Sequence, residues 1–440
     1  MGGFLEKHRY AALFVGALII SAAILAYRNP YGDFHAYYEA ANSLLSGRTD
    51  LYSPDFTSDP FMGYRYPPIF LLFFLPFAML PFGLSAAIWL ILSVFLALWV
   101  GHLLIRRLVP AQATRLIRTL TVIVPIFLTS RYFLSSVRYG NVQVILVAIF
   151  FLSFILLARG YITGAALSIA IVISVKVFPV LLLPYFALRR QWKFLGLTFV
   201  FVIFLNLAPS LYLGFEDNIA LMQEWNTHVV NEPPSFSING PLNLSLRGQL
   251  ERYLGSVDYS ERQTDAAYPE VNFANLSERS LATIYIVASL VVVVLTFGMI
   301  LMCRRERLSP FRLDLQTVVE LGLLICMTLV VGPRTNVTFF VALALPVAAA
   351  MASFTFRSGR IDVILVILVT LLAVITPLAP GSARQRFLVA AGADMWLTVA
   401  VGLALAVRLW RVRNASARDG SNDRSVPSDV PRGDARAITA

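Results

Sequence analysis

Three charged side chains stand where an apolar chain is interrupted, and together they could act on a substrate that contains a phosphate. Asp33 follows the first apolar run, Lys176 interrupts a long apolar stretch, and Arg334 follows Pro333 at the end of another. A carboxylate can take a proton from a hydroxyl group. A lysine or an arginine can neutralise a phosphate, and an arginine can bind it with two hydrogen bonds. These residue types suit a reaction in which a hydroxyl attacks and a phosphate departs.

Each of the three residues also has a structural explanation. Asp33 could cap a helix that begins at Phe34 and is closed by Gly47. A lysine near the end of a membrane span often extends to the interface, although an ionisable residue within the membrane is a functional candidate by default. Arg334 could contact a lipid headgroup. The spacing leaves both explanations open for each residue.

Six further residues are predicted to contact substrate, and each of them could instead serve the fold. Tyrosines anchor chains at headgroup depth, and polar residues cap helices or form turns. Walker loops, dinucleotide-binding glycine patterns, nucleophile elbows and His/Cys metal spacings do not occur in the sequence. The six candidates are Tyr52, Tyr66, Asn141, Gln143, Asn243 and Arg247.

The elements that must position these residues are membrane helices. Of the 440 residues, 58% are hydrophobic and 14% are charged, and the mean hydropathy is +0.72. Soluble domains carry about 25% charged residues, so this composition indicates a chain solvated by lipid. Apolar runs of about 18 residues or more recur, each long enough to cross a bilayer. The first, Tyr10–Tyr27, is predicted to be an uncleaved membrane helix, because more spans follow it.

The net charge of +11 does not require nucleic acid as a partner, because the basic residues form short clusters between apolar runs. Such clusters mark cytoplasmic loops, and membrane lipids suffice as their partner. With the N-terminus inside, residues 28–84 form a first outer loop and residues 214–280 a large one. Within the first loop, Pro67–Phe82 is predicted to lie at the outer surface, and the next span begins near Ser85.

This topology predicts an all-α integral membrane bundle of about twelve transmembrane helices with outer juxtamembrane helices. Residues 1–413 form the membrane domain, and residues 414–440 read as a disordered cytoplasmic tail. The unusual polar positions all fall on the non-cytoplasmic face: Asp33, the turn at residues 139–141, Lys176 and the loop at 332–336. Nothing comparable marks the inner face in the sequence. The asymmetry predicts an active site that faces the outside or the periplasm of a plasma or inner membrane.

An outward-facing synthetic site needs a donor carried by lipid, because nucleoside triphosphates are absent there. A polyprenyl-phosphate sugar fits, since its phosphate leaves as an anion and needs no protonation. One base then suffices, in contrast to the carboxylate pair of glycoside hydrolysis. Asp33 is the predicted base, and Lys176 with Arg334 would bind the donor phosphate. Direct displacement would invert the anomeric carbon.

At this point a set of ordered motifs resembles the family 87 glycosyltransferases. The motifs are Asp33 after the first helix, Leu51-Tyr52, Tyr66-Pro67-Pro68, Gly140-Asn141-Val142-Gln143, Lys176-Val177-Phe178-Pro179 with Arg189 and Arg190, and Asn243-Leu244-Ser245-Leu246-Arg247-Gly248. The resemblance covers residues 10 to 350. It implies a GT-C-type multi-pass fold, a catalytic aspartate in the first outer loop, and a polyprenyl-phosphate hexose donor.

The expected function is transfer of a hexose, with mannose favoured, to a lipid or glycan acceptor on the non-cytoplasmic face. A transporter or flippase for lipid carriers and a glycan ligase are the alternatives. Against transport, the hydropathy shows no inverted repeat, and the polar groups gather at one face instead of mid-bilayer. We expect no cofactor and no metal ligands, while the need for a divalent cation is left open.

Overall fold

In the computed structural model, residues 32–52, 63–108, 115–230, 243–255, 268–303, 311–353 and 382–422 are described. Every regular element within these ranges is helical. The α-helices, in chain order, are α1 (Asp33–Leu45), α2 (Pro68–Ala78), α3 (Phe82–Leu108), α4 (Arg115–Arg138), α5 (Gln143–Ala158), α6 (Ile162–Val175), α7 (Leu183–Leu188), α8 (Trp192–Leu207), α9 (Ser210–Leu213), α10 (Phe215–Trp225), α11 (Leu246–Leu254), α12 (Glu278–Cys303), α13 (Leu315–Val331), α14 (Ala344–Ser353), α15 (Ala383–Ala390) and α16 (Ala393–Asn422). Phe178–Leu182 and Val337–Leu343 are 3₁₀ helices, and Asn226–Val230 is a π-helical turn.

Four stretches within the described ranges are helical, long and apolar enough to cross a membrane. They are Phe82–Leu104, Trp192–Leu213, Glu278–Cys303 and Ala393–Arg411, and shorter apolar helices accompany them. The count of twelve spans stays a prediction, as does the GT-C topology. Two of the expected spans, near residues 10–27 and 361–378, lie outside the described residues.

The helix boundaries follow from a few residues with special backbone requirements. The predicted break before the second span is present, because α2 ends at Ala78 and α3 begins at Phe82. Proline at the first helical position suits the start of α2, since its missing N–H would have no partner there. Helix α6 ends at Val175, whose carbonyl a continuing helix would offer to residue 179. That residue is Pro179, which cannot donate to it and whose ring would clash with it.

Helices α5 and α13 form the centre of the bundle. Most side chains of α5 are buried, and so is every residue of α13 from Thr317 to Val331. By contrast, α12 leaves Ile286, Leu290 and Val294 exposed. A helix that is apolar and yet exposed is one that lipid can cover, so α12 belongs to the periphery of a membrane bundle.

The end of the bundle opposite Asp33 also contains buried charge, which corrects the expectation that only one face is marked. Arg189 lies 3.7 Å from Glu320, and the Tyr185 hydroxyl donates to the same carboxylate at 2.7 Å. Arg189 also donates to Thr317 Oγ1 at 3.1 Å. These bonds join α7 to α13. The sequence did not reveal this cluster because Glu320 is hidden in an apolar run and Arg189 reads as a loop residue.

The last helix extends further than expected. Helix α16 continues to Asn422 and so includes the first nine residues, 414–422, of the segment that was predicted to be a disordered tail. The tail prediction rested on few large apolar residues, but a helix that begins in a packed span can continue past its last apolar turn. Residues 423–440 lie outside the described residues.

Candidate functional site

Asp33 is the first residue of α1, but it does not cap the helix. The N-cap position is Gly32, and no side chain caps this end of the helix. The Asp33 carboxylate instead accepts a hydrogen bond from Asn141 Nδ2, with 2.5 Å between Nδ2 and Oδ2. The capping explanation is therefore wrong, whereas the predicted helix and its closure by Gly47, at φ +79°, are confirmed.

The turn at residues 139–141 is pressed against the start of α1, which brings Asn141 to Asp33. Phe34 N donates to the carbonyl oxygen of Tyr139 at 3.1 Å. Gly140 has φ +63°, and a Cβ atom there would lie 2.5 Å from the Cβ of Phe34. Trp89 of α3 fixes the same turn, because its Nε1 donates to the Gly140 carbonyl at 2.9 Å. Only glycine meets both the backbone and the space requirement at position 140.

A chain of polar contacts leads from Asp33 to Lys176. Asn141 Oδ1 accepts from the backbone N–H of Gln143 at 2.8 Å. The Gln143 Oε1 atom accepts from Lys176 Nζ, also at 2.8 Å. The structure thus brings four of the predicted site residues together, from α1, the start of α5 and the break after α6. Gln143 is fully buried, and its Nε2 atom has no hydrogen-bond partner among the described residues.

Two aromatic rings surround the Lys176 ammonium group. Its Nζ lies 4.0 Å from the centre of the Phe339 ring and 5.3 Å from that of Tyr66. Phe339 also stacks on Phe178, at 5.6 Å between ring centres. Aromatic faces attract a cation and keep water away from it. Lys176 is consequently a partly buried positive charge on an aromatic platform.

Burial shifts the pKa values of Asp33 and Lys176, and the attraction between their opposite charges opposes both shifts. Burial raises the pKa of the Asp33 carboxyl above its ordinary value, while the Asn141 hydrogen bond and the charges of Lys176 and Arg65 oppose that rise. Burial lowers the pKa of Lys176, which lies in the turn between helices, to about 7, and the negative charge of Asp33 opposes that fall. The carboxylate and the ammonium group therefore stabilise each other's charged form.

Tyr66 lies at the site, and Tyr52 supports it. The Tyr37 hydroxyl donates to the Tyr66 hydroxyl at 3.0 Å, and the two rings meet edge to face. The hydroxyl of Tyr52 donates at 2.7 Å to the backbone carbonyl of Tyr66. Tyr52 is buried, so its hydroxyl is engaged in holding Tyr66.

Asn243 and Arg334 meet at the loop of residues 332–336. Asn243 Nδ2 donates to the Pro333 carbonyl at 3.0 Å, and its Oδ1 accepts from Thr335 N at 3.1 Å. Arg334 is partly exposed, and its Nη1 donates to the Val229 carbonyl at 3.1 Å. This loop leads directly into the 3₁₀ helix that carries Phe339. Asn243 thereby positions the segment that places a ring on Lys176.

Arg247 lies apart from the Asp33 contacts. Its Nε donates to Glu251 at 3.1 Å within α11, and its guanidinium lies 5.9 Å from the ring centre of Tyr285 on α12. Within the described ranges, no hydrogen bond joins Arg247 to Asp33, Asn141 or Lys176. Arg247 links two outer elements of the bundle.

Sequence reasoning missed four residues of the site: Tyr37, Arg65, Trp89 and Phe339. Arg65 stands in the motif Tyr64-Arg65-Tyr66-Pro67-Pro68, which reads as an interfacial anchor, although its charge acts on Asp33. Its position beside Tyr66 was the one available signal. The other three are aromatic residues, Trp89 and Phe339 in apolar runs and Tyr37 on an amphipathic helix, where sequence gives no sign that they differ from ordinary core residues.

The arrangement can remove a proton and hold an anion in neighbouring positions. Asp33 can act as a base, and Lys176 with Arg65 supplies positive charge beside it. Among the described residues the Nε2 atom of Gln143 has no hydrogen-bond partner, and because such a buried amide N–H is costly, an acceptor on a ligand would stabilise it. An anionic oxygen beside Lys176 would satisfy it.

Comparison with known proteins agrees with this chemistry. The model of glycosyltransferase family 87 matches residues 64–326, a range that contains Tyr66, Asn141, Gln143 and Lys176 but not Asp33. The chain is also 27% identical over 256 residues to the polyprenol-phosphate-mannose-dependent alpha-(1-2)-phosphatidylinositol pentamannoside mannosyltransferase of Mycolicibacterium smegmatis. That alignment covers 56% of this chain and 59% of the relative, so the chain spans less than two thirds of the relative's length. No solved structure matches the chain.

The family match extends over more than half of the 440 residues and includes the Gln143–Lys176 contact and Tyr66 beside it, while Phe339 lies outside the matched range. We therefore conclude that the chain belongs to glycosyltransferase family 87.

Proposed function

We propose that the protein is a membrane glycosyltransferase that moves a hexose, with mannose favoured, from a polyprenyl-phosphate donor to a lipid or glycan acceptor. The reaction takes place on the non-cytoplasmic face of the cell membrane. The observation that supports this proposal most strongly is the chain of hydrogen bonds from Asp33 through Asn141 and Gln143 to Lys176. It unites a base and a phosphate-binding cation from distant parts of the sequence at one end of the bundle.

In the proposed reaction, Asp33 takes the proton of an acceptor hydroxyl as its oxygen forms a bond to the anomeric carbon of the sugar. The bond between that carbon and the donor phosphate oxygen breaks on the opposite face. The electron pair stays with the polyprenyl phosphate, whose growing negative charge is stabilised by Lys176. A single displacement of this kind inverts the anomeric centre.

The roles of the surrounding residues follow from their contacts. Asn141 holds the carboxylate and leaves its second oxygen for the acceptor proton. Gln143 positions Lys176 and offers its Nε2 to a phosphate oxygen. Arg65 adds positive charge near the carboxylate. Arg334, which precedes the 3₁₀ helix that carries Phe339, is proposed as a second cation for the donor phosphate. Within the described ranges no three His, Cys, Asp or Glu residues form a metal-binding group.

The relative from Mycolicibacterium smegmatis supports the donor class, because its name specifies dependence on polyprenol-phosphate-mannose. The site supports it independently. Polyprenyl phosphate combines an anion with an apolar chain, and Lys176 lies beside Phe178 and Phe339 at the end of the bundle. An anion can meet the ammonium group there while its apolar chain enters the membrane.

The experiment that tests the proposal uses the purified full chain in proteoliposomes prepared with a total membrane lipid extract as the source of acceptors. Polyprenyl-phosphate mannose, radiolabelled in the sugar, is added to the outer leaflet. We expect label to move to a second lipid or glycan. Label that merely crosses the bilayer would indicate a transporter. No transfer from this donor, with transfer of a preassembled glycan, would indicate a ligase.

A further inference from the structure

The short helix that carries Phe339 depends on its surroundings for its position. Val337–Leu343 is a 3₁₀ helix, and the hydrogen bonds of such a helix have poorer geometry than those of an α-helix. A shift of this helix would move the Phe339 ring away from the Lys176 ammonium group, which lies 4.0 Å from the ring centre. Among the described residues, two routes of contacts reach the helix from one place, the corner between α15 and α16 at residues 390–394.

The first route runs through Arg252 of α11, whose side chain is buried. Its Nε donates to the Ala390 carbonyl at 3.2 Å, and its Nη1 donates to the Asn243 carbonyl at 2.8 Å. Its Nη2 donates to Gln249 Oε1 at 2.7 Å. A guanidinium group presents its donors in a rigid planar fork. Arg252 therefore fixes the position of Asn243 relative to the α15–α16 corner.

Asn243 connects Arg252 to the loop that precedes the 3₁₀ helix. In addition to the two side-chain bonds of Asn243 to this loop, Leu244 N donates to the Thr335 carbonyl at 2.7 Å. Asn336 then caps the 3₁₀ helix, because its Oδ1 accepts from Thr338 N at 2.8 Å. A continuous series of hydrogen bonds and short loop segments thus joins the corner to the start of the helix.

The second route runs through Tyr132 of α4. Its hydroxyl donates at 2.7 Å to Asp394 in the first turn of α16, and Asp394 also forms an ion pair with Arg131. The Tyr132 ring stacks on Phe340, with 5.3 Å between the ring centres. Successive side chains of a 3₁₀ helix point about 120° apart, because three residues make one turn. A contact that fixes Phe340 therefore also fixes the direction of Phe339.

The α15–α16 corner is itself bound to α11. Gln249 Nε2 donates to the Ala390 carbonyl, and the Tyr253 hydroxyl donates to the Ala391 carbonyl, both at 2.9 Å. Gly392 has φ +69°, and a Cβ atom there would collide with Gln249 Oε1. The corner and the 3₁₀ helix both lie beyond residue 326, where the family match ends. Their contribution to the site consequently does not follow from membership of the family.

We propose that Tyr132 and Arg252 are positioning residues for the donor site. Bound to the α15–α16 corner, they hold the Phe339 ring against Lys176. The ring in turn keeps the ammonium group where it meets the donor phosphate, so its displacement should weaken donor binding and leave proton removal by Asp33 intact. The assignment rests on the proposed function for the role of Lys176 as the cation of the donor site.

The test measures the binding of radiolabelled polyprenyl phosphate to the full-length protein in nanodiscs, together with kcat and the donor KM in proteoliposomes. Tyr132→Phe removes only the hydroxyl group that reaches Asp394. We expect it to weaken binding by about three-fold and to raise the donor KM equally at constant kcat, as for a cation–π contact that is partly lost. Arg252→Met breaks the first route, and we expect a loss of about ten-fold.

Phe339→Leu separates positioning from general destabilisation. Because this change removes the ring, Tyr132→Phe and Arg252→Met should weaken binding no further when either is combined with it. Losses that multiply in the double variants would overturn the assignment, and so would unchanged binding in Phe339→Leu alone. If Arg252→Met does not fold, the cycle with Tyr132→Phe decides the question by itself.

Tyr185→Phe is the matched control for Tyr132→Phe. The Tyr185 hydroxyl also donates at 2.7 Å to a buried carboxylate, that of Glu320, but at the opposite end of the bundle. The control should lower the thermal stability about as much as Tyr132→Phe and leave donor binding and KM at their wild-type values. Equal losses of binding in the two variants would assign the effect to stability and contradict a positioning role.

Hydrogen exchange tests the same support without any donor. Peptides that cover residues 332–343 should exchange faster in Tyr132→Phe and Arg252→Met than in the wild type or in Tyr185→Phe. If this exchange pattern appears but the wild-type protein transfers no sugar, the proposed function fails while the corner still holds the 3₁₀ helix. If transfer occurs while both variants keep wild-type exchange and donor KM, the positioning assignment fails and the proposed function stands.

Discussion

Asn141 donates a 2.5 Å hydrogen bond to Asp33, although 108 residues separate them in the sequence. The bond joins the first residue of α1 to the turn that precedes α5. On its other side, the Asn141 carboxamide oxygen accepts from Gln143 N, so the side chain cannot turn away without losing both bonds. Asp33 is consequently held in one orientation.

Replacing Asn141 should therefore damage catalysis more than donor binding. Asn141→Leu keeps the size of the side chain but removes both hydrogen bonds. We expect kcat to fall by about 100-fold, the usual penalty for a reacting group displaced by about 1 Å, with the donor KM nearly constant. Steady-state transfer in proteoliposomes measures both. Asn275→Leu, at an exposed asparagine, serves as the control, and equal losses in the two variants would contradict an orienting role.

Lys176 should matter chiefly for the donor. Lys176→Gln removes the charge from the aromatic platform, and we expect the donor KM to rise by about ten-fold or more, as for other charge-assisted contacts. The control is Lys193→Gln, which removes the same charge from an exposed position on α8. Direct binding of radiolabelled polyprenyl phosphate separates this loss from an effect on chemistry. Unchanged binding in Lys176→Gln would remove the residue from the donor site.

Transfer activity should fall on both sides of an optimum pH, and a different residue should cause each loss. Asp33 acts as a base only when it is ionised. Because its pKa is raised, the loss of activity on acidification should begin at a higher pH than it would for an exposed carboxylate. Lys176 is useful only when it is charged, and its pKa of about 7 predicts a loss of kcat/KM above that pH. Arginine stays protonated at all these pH values, so Lys176→Arg should remove the alkaline limb. A profile of kcat/KM for both proteins checks this, and an alkaline limb that persists in Lys176→Arg would assign it to another group.

Gly140 and Gly160 allow the effect of backbone conformation to be separated from that of crowding. Both have a positive φ, +63° and +83°, but a Cβ atom would meet Phe34 at position 140 and open space at position 160. Gly160→Ala should cost about 1–2 kcal/mol of unfolding free energy from conformation alone. Gly140→Ala should cost more and should also reduce activity, since it displaces Asn141 from Asp33. Thermal unfolding in detergent and transfer assays measure the pair, and equal effects would show that the contact with Phe34 has no role.

The sequence predicted the elements well and the contacts between them only in part. The break between α2 and α3 was predictable because an apolar run of that length contains Pro81 and Gly83. The grouping of Asp33, Asn141 and Lys176 was predictable from topology, because a positive-inside arrangement places all three at the same membrane face. Topology does not predict how far apart these residues lie on that face.

The missed contacts depend on packing between elements that are remote in sequence. Trp89 and Phe339 look like ordinary span residues, and only their neighbours make one of them a donor to Gly140 and the other a platform for Lys176. The same reason explains Asn243, which was predicted to contact substrate but whose amide holds the loop at residues 332–336. A polar side chain in a turn gives no sequence signal of whether its partner is a ligand or a backbone.

The most direct measurement is single-turnover transfer by Asp33→Asn. This change removes the base but keeps an oxygen that can accept from Asn141, so the site should retain its structure and its donor binding. We predict a loss of about 100- to 10,000-fold in the transfer rate, the range for a general base, while polyprenyl phosphate still binds. Asp50→Asn, at an exposed aspartate that pairs with Arg48, should transfer at the wild-type rate. Wild-type transfer by Asp33→Asn would contradict the assignment of Asp33 as the base.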